Sequence, residues 1–346
     1  MDRNKRILCL VLCVCFFLTA LACDADPAAD VPTEQHAVNV IVDAETAAPA
    51  TQEPAQTPTP AATPFATRAP IEGDVCTDRF PDYDTGTDAE YSYQTDEIRI
   101  AIKRYEDADF CQVYYVADVW LRNISAFRTG FGYGAFNAGH EYAEDFATRE
   151  HAVLAINGSF NKGLVIHNRE KVKGADNTHE GVMFLYEDGT MQAIRRSELN
   201  LSKEEKKGIV HAWQFGPVLV HEGKPAEGYN VYGTRHSRII IGYYEPGHYV
   251  AVAVDGRRKD AVGMNNYEMV ELMHSLGCQE AMNLDGGTSA IMTFMGKIIN
   301  DPPGDDKDGD GKGGRNLVDM LLFAEYDANG DAPALDTIRA DKFLGN

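Results

Sequence analysis

The sequence predicts an α+β domain built from mixed, largely antiparallel β-sheets with a few flanking helices. Three observations predict it. Apolar residues recur with period two along most of the chain, Gly, Pro or Asp-Gly separates successive apolar runs, and helical periodicity shows in only two places.

The elements follow in order. Ile98, Ile100 and Ile102 alternate with polar residues, and FCQVYYVADVWL (110–121) reads as a long strand. EYAEDFATRE (141–150) is a helix candidate just before AVLAIN (152–157), a continuous apolar strand. Hairpins are expected at 181–194 (GVMFLYEDGTMQAI), at 216–225 (GPVLVHEGKP) and at 237–256 (SRIIIGYYEPGHYVAVAVDG). The clearest helix is NNYEMVELMHSLG (265–277). Asn265 caps it with Glu268 three residues on, and Gly277 ends it. Met269, Leu272, Met273 and Leu276 form its apolar face. That helix feeds the strand AMNLDGG, and VDMLLFAEY (318–326) closes the set.

The first 22 residues carry Arg3, Lys5 and Arg6, an apolar run from Ile7 to Leu18, and small residues before Cys23, the layout of a secretory signal. LTALA followed by Cys23 resembles a lipobox, so a lipidated Cys23 is expected to be the chain's link to a membrane; a plain N-terminal membrane anchor and cleavage leaving a free terminus are the other outcomes. Residues 23–73 hold PAQTPTPAATPFATRAP and are expected to be a disordered tether, on the order of 140 Å long if drawn out as polyproline II. Residues 74–346 then form one large domain, its motifs between about 110 and 326. A net charge of −21 argues against nucleic acid as a partner. Cys76 and Cys111 can pair in an oxidising compartment, which leaves Cys278 as a small buried hydrophobe.

Three polar residues end apolar strands and are followed by glycine: Asn157 in AINGSF, Asp255 in AVDGRR and Asp285 in NLDGG. Asp-Gly commonly makes a plain turn. A carboxylate with two glycines after it also has space beside it for a substrate. Arg238 and Arg315 adjoin apolar strands and suit forked contact with phosphate, whereas Arg258 and Lys259 read as surface ion-pair partners. GDDKDGDGKGG (304–314) places Asp306, Asp308 and Asp310 at alternating positions, but Leu317 stands where an EF-hand needs Glu. A calcium-stabilised loop and an unliganded acidic loop both remain open, so structural calcium is the one cofactor the sequence suggests. Ser159 and Ser289 lie outside any G-x-S-x-G motif, and the histidines show no metal-binding spacing.

Taken together, AINGSF (155–160), FGPVLVHEGK (215–224), RIIIGYYEPGHYVAVAVDGR (238–257), the helix through MHSLG, and AMNLDGGTSAIM (281–292) resemble the phosphodiester glycosidase family. One enzyme of that family uncovers mannose 6-phosphate by removing N-acetylglucosamine. Gly216 with Pro217, and Gly286 with Gly287, match glycine-bearing positions of the family, while Ser159 stands where a second glycine is common. The resemblance implies hydrolysis of the anomeric C–O bond of a sugar 1-phosphodiester, with an N-acetylhexosamine in a cell-surface glycan as the expected substrate. Asp285 is expected to be the catalytic carboxylate, with Asp255 as its partner or replacement. Arg238 and Arg315 are expected on the phosphate. Asn157, Asn283, Gly286, Gly287 and Ser289 are expected to line the substrate site. A non-catalytic envelope module that binds phosphorylated glycans is the alternative.

Overall fold

Alternating side chains need two faces to bury, and here three antiparallel sheets supply them around a shared core. The computed structural model describes residues 72–75, 89–304 and 314–325. The signal, Cys23, nearly all of the tether, Cys76 and the loop bearing Asp306, Asp308 and Asp310 lie outside the described residues.

The largest sheet has eight strands, in the order Tyr91–Gln94, Ile98–Asp107, Gln112–Leu121, His248–Val254, Arg238–Glu245, Glu280–Asn283, Val218–His221 and Lys224–Pro225. A second sheet of five runs Glu170–Lys173, Val165–His167, Ile209–Phe215, Gly181–Tyr186 and Met191–Arg195. A third of five runs Lys297–Ile298, Met292–Phe294, Ala152–Asn157, Asp319–Ala324 and Phe127–Phe131. Every strand ladder among the described residues is antiparallel. Short hairpin connections make that arrangement accessible without crossover helices.

Ile98, Ile100 and Ile102 enter the common core, where they join Phe127, Leu154, Met183, Trp213, Tyr249, Met282 and Phe323 from all three sheets. The other face of the large sheet is covered by the helix Asn266–Ser275, through Met269, Val270 and Met273, with Leu272 and Leu276 packed beside them. Its capping box forms as expected: Glu268 N–H donates to Asn265 Oδ1 and Asn265 N–H to Glu268 Oε2, both at 2.9 Å. The helix Ala143–Arg149 packs Ala143, Phe146 and Ala147 against the third sheet.

Two boundaries differ from expectation. The strand expected over 110–121 starts at Gln112, because Asp107 Oδ1 takes the N–H groups of Asp109 and Phe110 and turns the chain there. Glu141 stands before its helix rather than in it, gripping Arg149 and the N–H of Tyr133. Phe127–Phe131, Val165–His167 and Ile209–Phe215 are strands beyond those the periodicity predicts. Ile209–Phe215 is buried at all but its last residue and so shows no alternation. Cys111 is exposed and Cys278 buried; the pairing of Cys111 with Cys76 falls outside the described residues.

Candidate active site

The strand Glu280–Asn283 runs between Arg238–Glu245 and Val218–His221, and its end delivers the turn Asp285–Ser289 to the edge of the core. Leu284 N–H still bonds Ile239 O at 2.8 Å, so the chain leaves the sheet only at Asp285. Asn157, at the end of a strand in another sheet, holds that departure. Its Nδ2 donates to Asp285 O at 2.7 Å, its Oδ1 accepts from Ile291 N–H at 3.1 Å, and Asp285 N–H donates to Gly158 O at 3.2 Å. The Asn157 amide is thus engaged with main chain on both sides of the turn.

The two glycines have an observable cause. A Cβ on Gly286 would stand 2.6 Å from the carbonyl oxygen of Ser237. A Cβ on Gly287, at φ +68°, would stand 2.9 Å from the Arg257 guanidinium. The space beside them, expected to receive a sugar, holds the Ser237 main chain and Arg257 instead. Ser237 Oγ in turn donates to Gly287 O at 2.9 Å.

Burial pushes the Asp285 carboxyl pKa up, opposed by the Ser289 hydroxyl, the Arg315 charge, the Gly286 N–H and the Lys162 charge. Ser289 Oγ is buried and closes no aligned hydrogen bond. Asn283 Nδ2 donates to Gly216 O at 2.9 Å, which leaves its Oδ1 buried and unpartnered. Asn161 is also buried with both amide atoms unpartnered. Buried polar atoms without partners in the protein are left for a water, an ion or a ligand to satisfy.

Arginines surround the turn. Arg315 N–H donates to Thr288 O, and its guanidinium lies 4.6 Å from the ring centre of Phe160, which also carries Lys162 at 5.3 Å. Arg238 donates Nε–H to Met264 O at 3.0 Å. Arg257 donates Nε–H to His236 Nδ1 at 3.3 Å. Among the described residues none of these three arginines pairs with a carboxylate. Burial first, and then the Arg257 charge, pull the Arg238 pKa down. In a chain with 53 acidic and 32 basic side chains, Arg238 and Arg257 repel one another and Arg315 acts on Asp285 with no ion pair closed, a cluster that suits an external anion. Of these arginines, Arg238 lines a pocket of about 400 Å³ together with Phe215, Pro217, Tyr229, His236 and Asn283.

Asp255 leaves the same end of the sheet as Asp285, because both follow strands antiparallel to Arg238–Glu245, but it turns inward. It continues the parity of Ala251 and Ala253, which face the common core, and its Oδ1 accepts from Asn300 Nδ2 at 3.1 Å and Asp301 N–H at 2.9 Å. It is held inside the fold rather than presented to the pocket. Arg258 is a surface ion-pair residue, bonded to Asp260 and Asp301, as expected.

Two residues of the site go beyond those the sequence singles out. Arg257 is indistinguishable in sequence from Arg258, since both follow the same Asp-Gly. Asp319 sits beneath the Asn157–Phe160 segment, accepting the N–H groups of Ser159 and Phe160 at 2.8 Å and the Ser159 hydroxyl at 3.2 Å. Burial lifts its pKa to about 6. Its signal is an aspartate inside an apolar strand, the same anomaly that marks Asp285. Ser159, where a second glycine is common in the family, gives its hydroxyl to this buried acid.

Comparison with known proteins places the chain in a family. The chain is 32% identical over 167 residues to the SPbeta prophage-derived uncharacterized protein YomE of Bacillus subtilis (strain 168), covering 44% of this chain and 26% of that protein. It is 24% identical over 204 residues to the N-acetylglucosamine-1-phosphodiester alpha-N-acetylglucosaminidase of Bos taurus, covering 53% of this chain and 38% of that enzyme. It therefore spans well under half the length of either relative. The catalytic domain of the zebrafish enzyme of that name, solved as auto-inhibited by its pro-peptide, shares the fold at TM-score 0.56 and 16% identity, over 69% of this chain and 86% of that one. A hypothetical protein from Synechocystis does so at TM-score 0.52 and 14% identity, over 69% of this chain and 64% of that one. The phosphodiester glycosidase family profile matches residues 136–324, and the chain belongs to that family.

Proposed function

We propose that this protein hydrolyses the anomeric C–O bond of a sugar 1-phosphodiester, with Asp285 as the working carboxylate and Arg238, Arg257 and Arg315 on the phosphate. One observation carries the proposal: three arginines without carboxylate partners surround a turn that bears a single half-buried aspartate. Water supplies the oxygen that ends on the anomeric carbon, and the phosphate monoester leaves with the electron pair of the broken C–O bond. Because its second pKa is about 6, that group departs far more readily than an alkoxide, and a strong general acid is less needed. Asp285 either attacks the anomeric carbon or takes the proton of the attacking water. The arginines stabilise the charge gathering on the phosphate oxygens. Asn157 positions Asp285 through its main chain, and Asn283 Oδ1 and Ser289 Oγ offer acceptors to a sugar. Asp255 supports the fold.

The substrate follows from the activity that the bovine and zebrafish enzymes are named for: an N-acetylhexosamine joined through phosphate, here within a cell-surface glycan. The location proposed is the outer face of the membrane, with Cys23 as a lipid anchor and the acidic domain in the envelope. Among the described residues no helix is long and apolar enough to cross a membrane. The experiment is release of reducing sugar from a panel of sugar 1-phosphodiesters, including UDP-N-acetylglucosamine, by wild type and Asp285→Asn. Release by wild type alone supports the assignment. Release by both moves the carboxylate elsewhere. Glycan binding without turnover by wild type, retained in the variant, would replace the enzyme with the binding module.

A further inference from the structure

We infer that His236 is a neutral hydrogen-bond donor to the substrate phosphate, offering Nε2–H to the pocket while Arg257 fixes its tautomer at Nδ1. The inference rests on the phosphate-binding reading above.

His236 lines the pocket together with Arg238 and Asn283. Its Nδ1 lies 3.3 Å from Arg257 Nε. An arginine has donors and no acceptor, so this contact exists only while Nδ1 carries a lone pair. The single proton of the neutral ring then stands on Nε2. That nitrogen has no hydrogen-bond partner in the protein among the described residues. An imidazolium would set N–H against N–H at Arg257. Burial, then Arg238, then Arg257 hold the His236 pKa below the ordinary value, and no carboxylate opposes them.

The ring is also held in place. His236 N–H donates to Met264 O at 3.1 Å, and Met264 N–H returns a bond to His236 O at 2.9 Å. The next residue, Ser237, ties this segment to Gly287. Arg257 itself sits at φ 62°, a conformation that non-glycine residues adopt at a cost and that recurs at functional sites. A neutral imidazole is a weak acid and keeps its proton. His236 therefore stabilises charge on the phosphate oxygens without handing its proton to the leaving group.

The test follows the imidazole nitrogens of ¹⁵N-histidine-labelled full-length protein by NMR while inorganic phosphate is added. The expected result is an unprotonated Nδ1 throughout, with the Nε2–H proton moving downfield and exchanging more slowly as phosphate binds. Arg257→Ala should let the His236 pKa rise toward the ordinary histidine value and should free Nδ1 to take the ring proton. On a sugar 1-phosphodiester, His236→Ala should lower kcat/KM about 10- to 100-fold, and His236→Gln, which keeps an N–H donor, should recover part of it. If the alanine variant fails to fold, the glutamine variant and the wild-type titration decide the matter. Conversion of His236 to imidazolium on phosphate binding overturns the inference. So does phosphate binding that Arg238→Ala abolishes but that leaves Nε2–H unmoved, while the functional reading survives. A wild-type protein whose nitrogens and arginines all ignore phosphate overturns both.

Discussion

Asp255 and Asp285 close two strands of the same sheet with the same local spelling: an apolar run, an aspartate, a glycine. One is locked inside and the other is half-buried on a turn beside arginines. Asp255 follows Ala251 and Ala253 on the core-facing side and there meets Asn300 and the N–H of Asp301. Asp285 leaves the sheet on a turn that Asn157 and Gly158 hold from a neighbouring sheet, and it meets Arg315 and Lys162. An identical local pattern thus says that a carboxylate ends a strand. Strand parity and the neighbours beyond the strand decide what the carboxylate does.

The comparison breaks most sharply by exchanging the two acids for amides. Asp285→Asn should lower turnover of a sugar 1-phosphodiester by about 10³-fold or more with its melting temperature kept. Asp255→Asn should leave turnover nearly intact, since its remaining oxygen still accepts from both Asn300 and Asp301. Asp255→Ala strands those two donors and should cost about 2–4 kcal/mol in chemical denaturation. The reverse pattern in the amide pair would place the chemistry at Asp255.

A second contrast sets the unpaired arginines against a paired one. Arg238→Ala and Arg315→Ala should raise KM about 10- to 100-fold, as expected for lost hydrogen bonds to a charged group. Arg258→Ala removes a surface ion pair and should change KM less than about threefold. Equal effects at all three would mean that missing carboxylate partners do not mark the site.

Gly287→Ala probes the turn itself. The added Cβ meets the end of a flexible arginine side chain, so stability should fall by only about 1 kcal/mol, mostly from the positive φ. Activity should fall several-fold more than that stability change suggests, because Arg257 is displaced. An active, merely destabilised variant would detach Arg257 from the site.

The smallest expected effects are pH-dependent, and they have opposite signs. The Asp285 pKa is raised by burial, and the working form is ionised, so kcat/KM should fall as pH drops through a value above the usual carboxylate range. Asp319 is raised to about 6, so in the window between its unfolded value and about 6 the native protein holds more protons than the unfolded chain. Its contribution to stability is present at low pH and lost as pH rises through about 6. Asp319→Asn should flatten that slope in thermal melts between about pH 4 and 6. An unchanged slope would assign the effect to other acids.

Much of this is legible in the chain. The capping box at Asn265 and Glu268, the hairpins at 181–194 and 237–256, and the anomaly of Asp285 depend on residues close in sequence, and they form as expected. Ile209–Phe215 is not legible, because a strand buried on both faces has no period to show. Nor is the difference between Arg257 and Arg258. Adjacent identical residues carry the same propensity, and one meets Asp260 and Asp301 while the other meets Gly287 and His236.

By itself the sequence determined the β-rich class, the turns, the caps and the presence of an aspartate where an apolar strand ends, since each follows from backbone preference and periodicity over a few residues. Only the tertiary structure decided that Asn157 steadies Asp285 from another sheet, that Gly286 and Gly287 make room for Ser237 and Arg257, and that Arg238 and Arg257 come together without an ion-pair partner. Those outcomes depend on contacts between residues far apart in the chain, 21 positions for Arg257 with His236 and 128 for Asn157 with Asp285. At such separations local preference carries no information, and packing sets which groups meet.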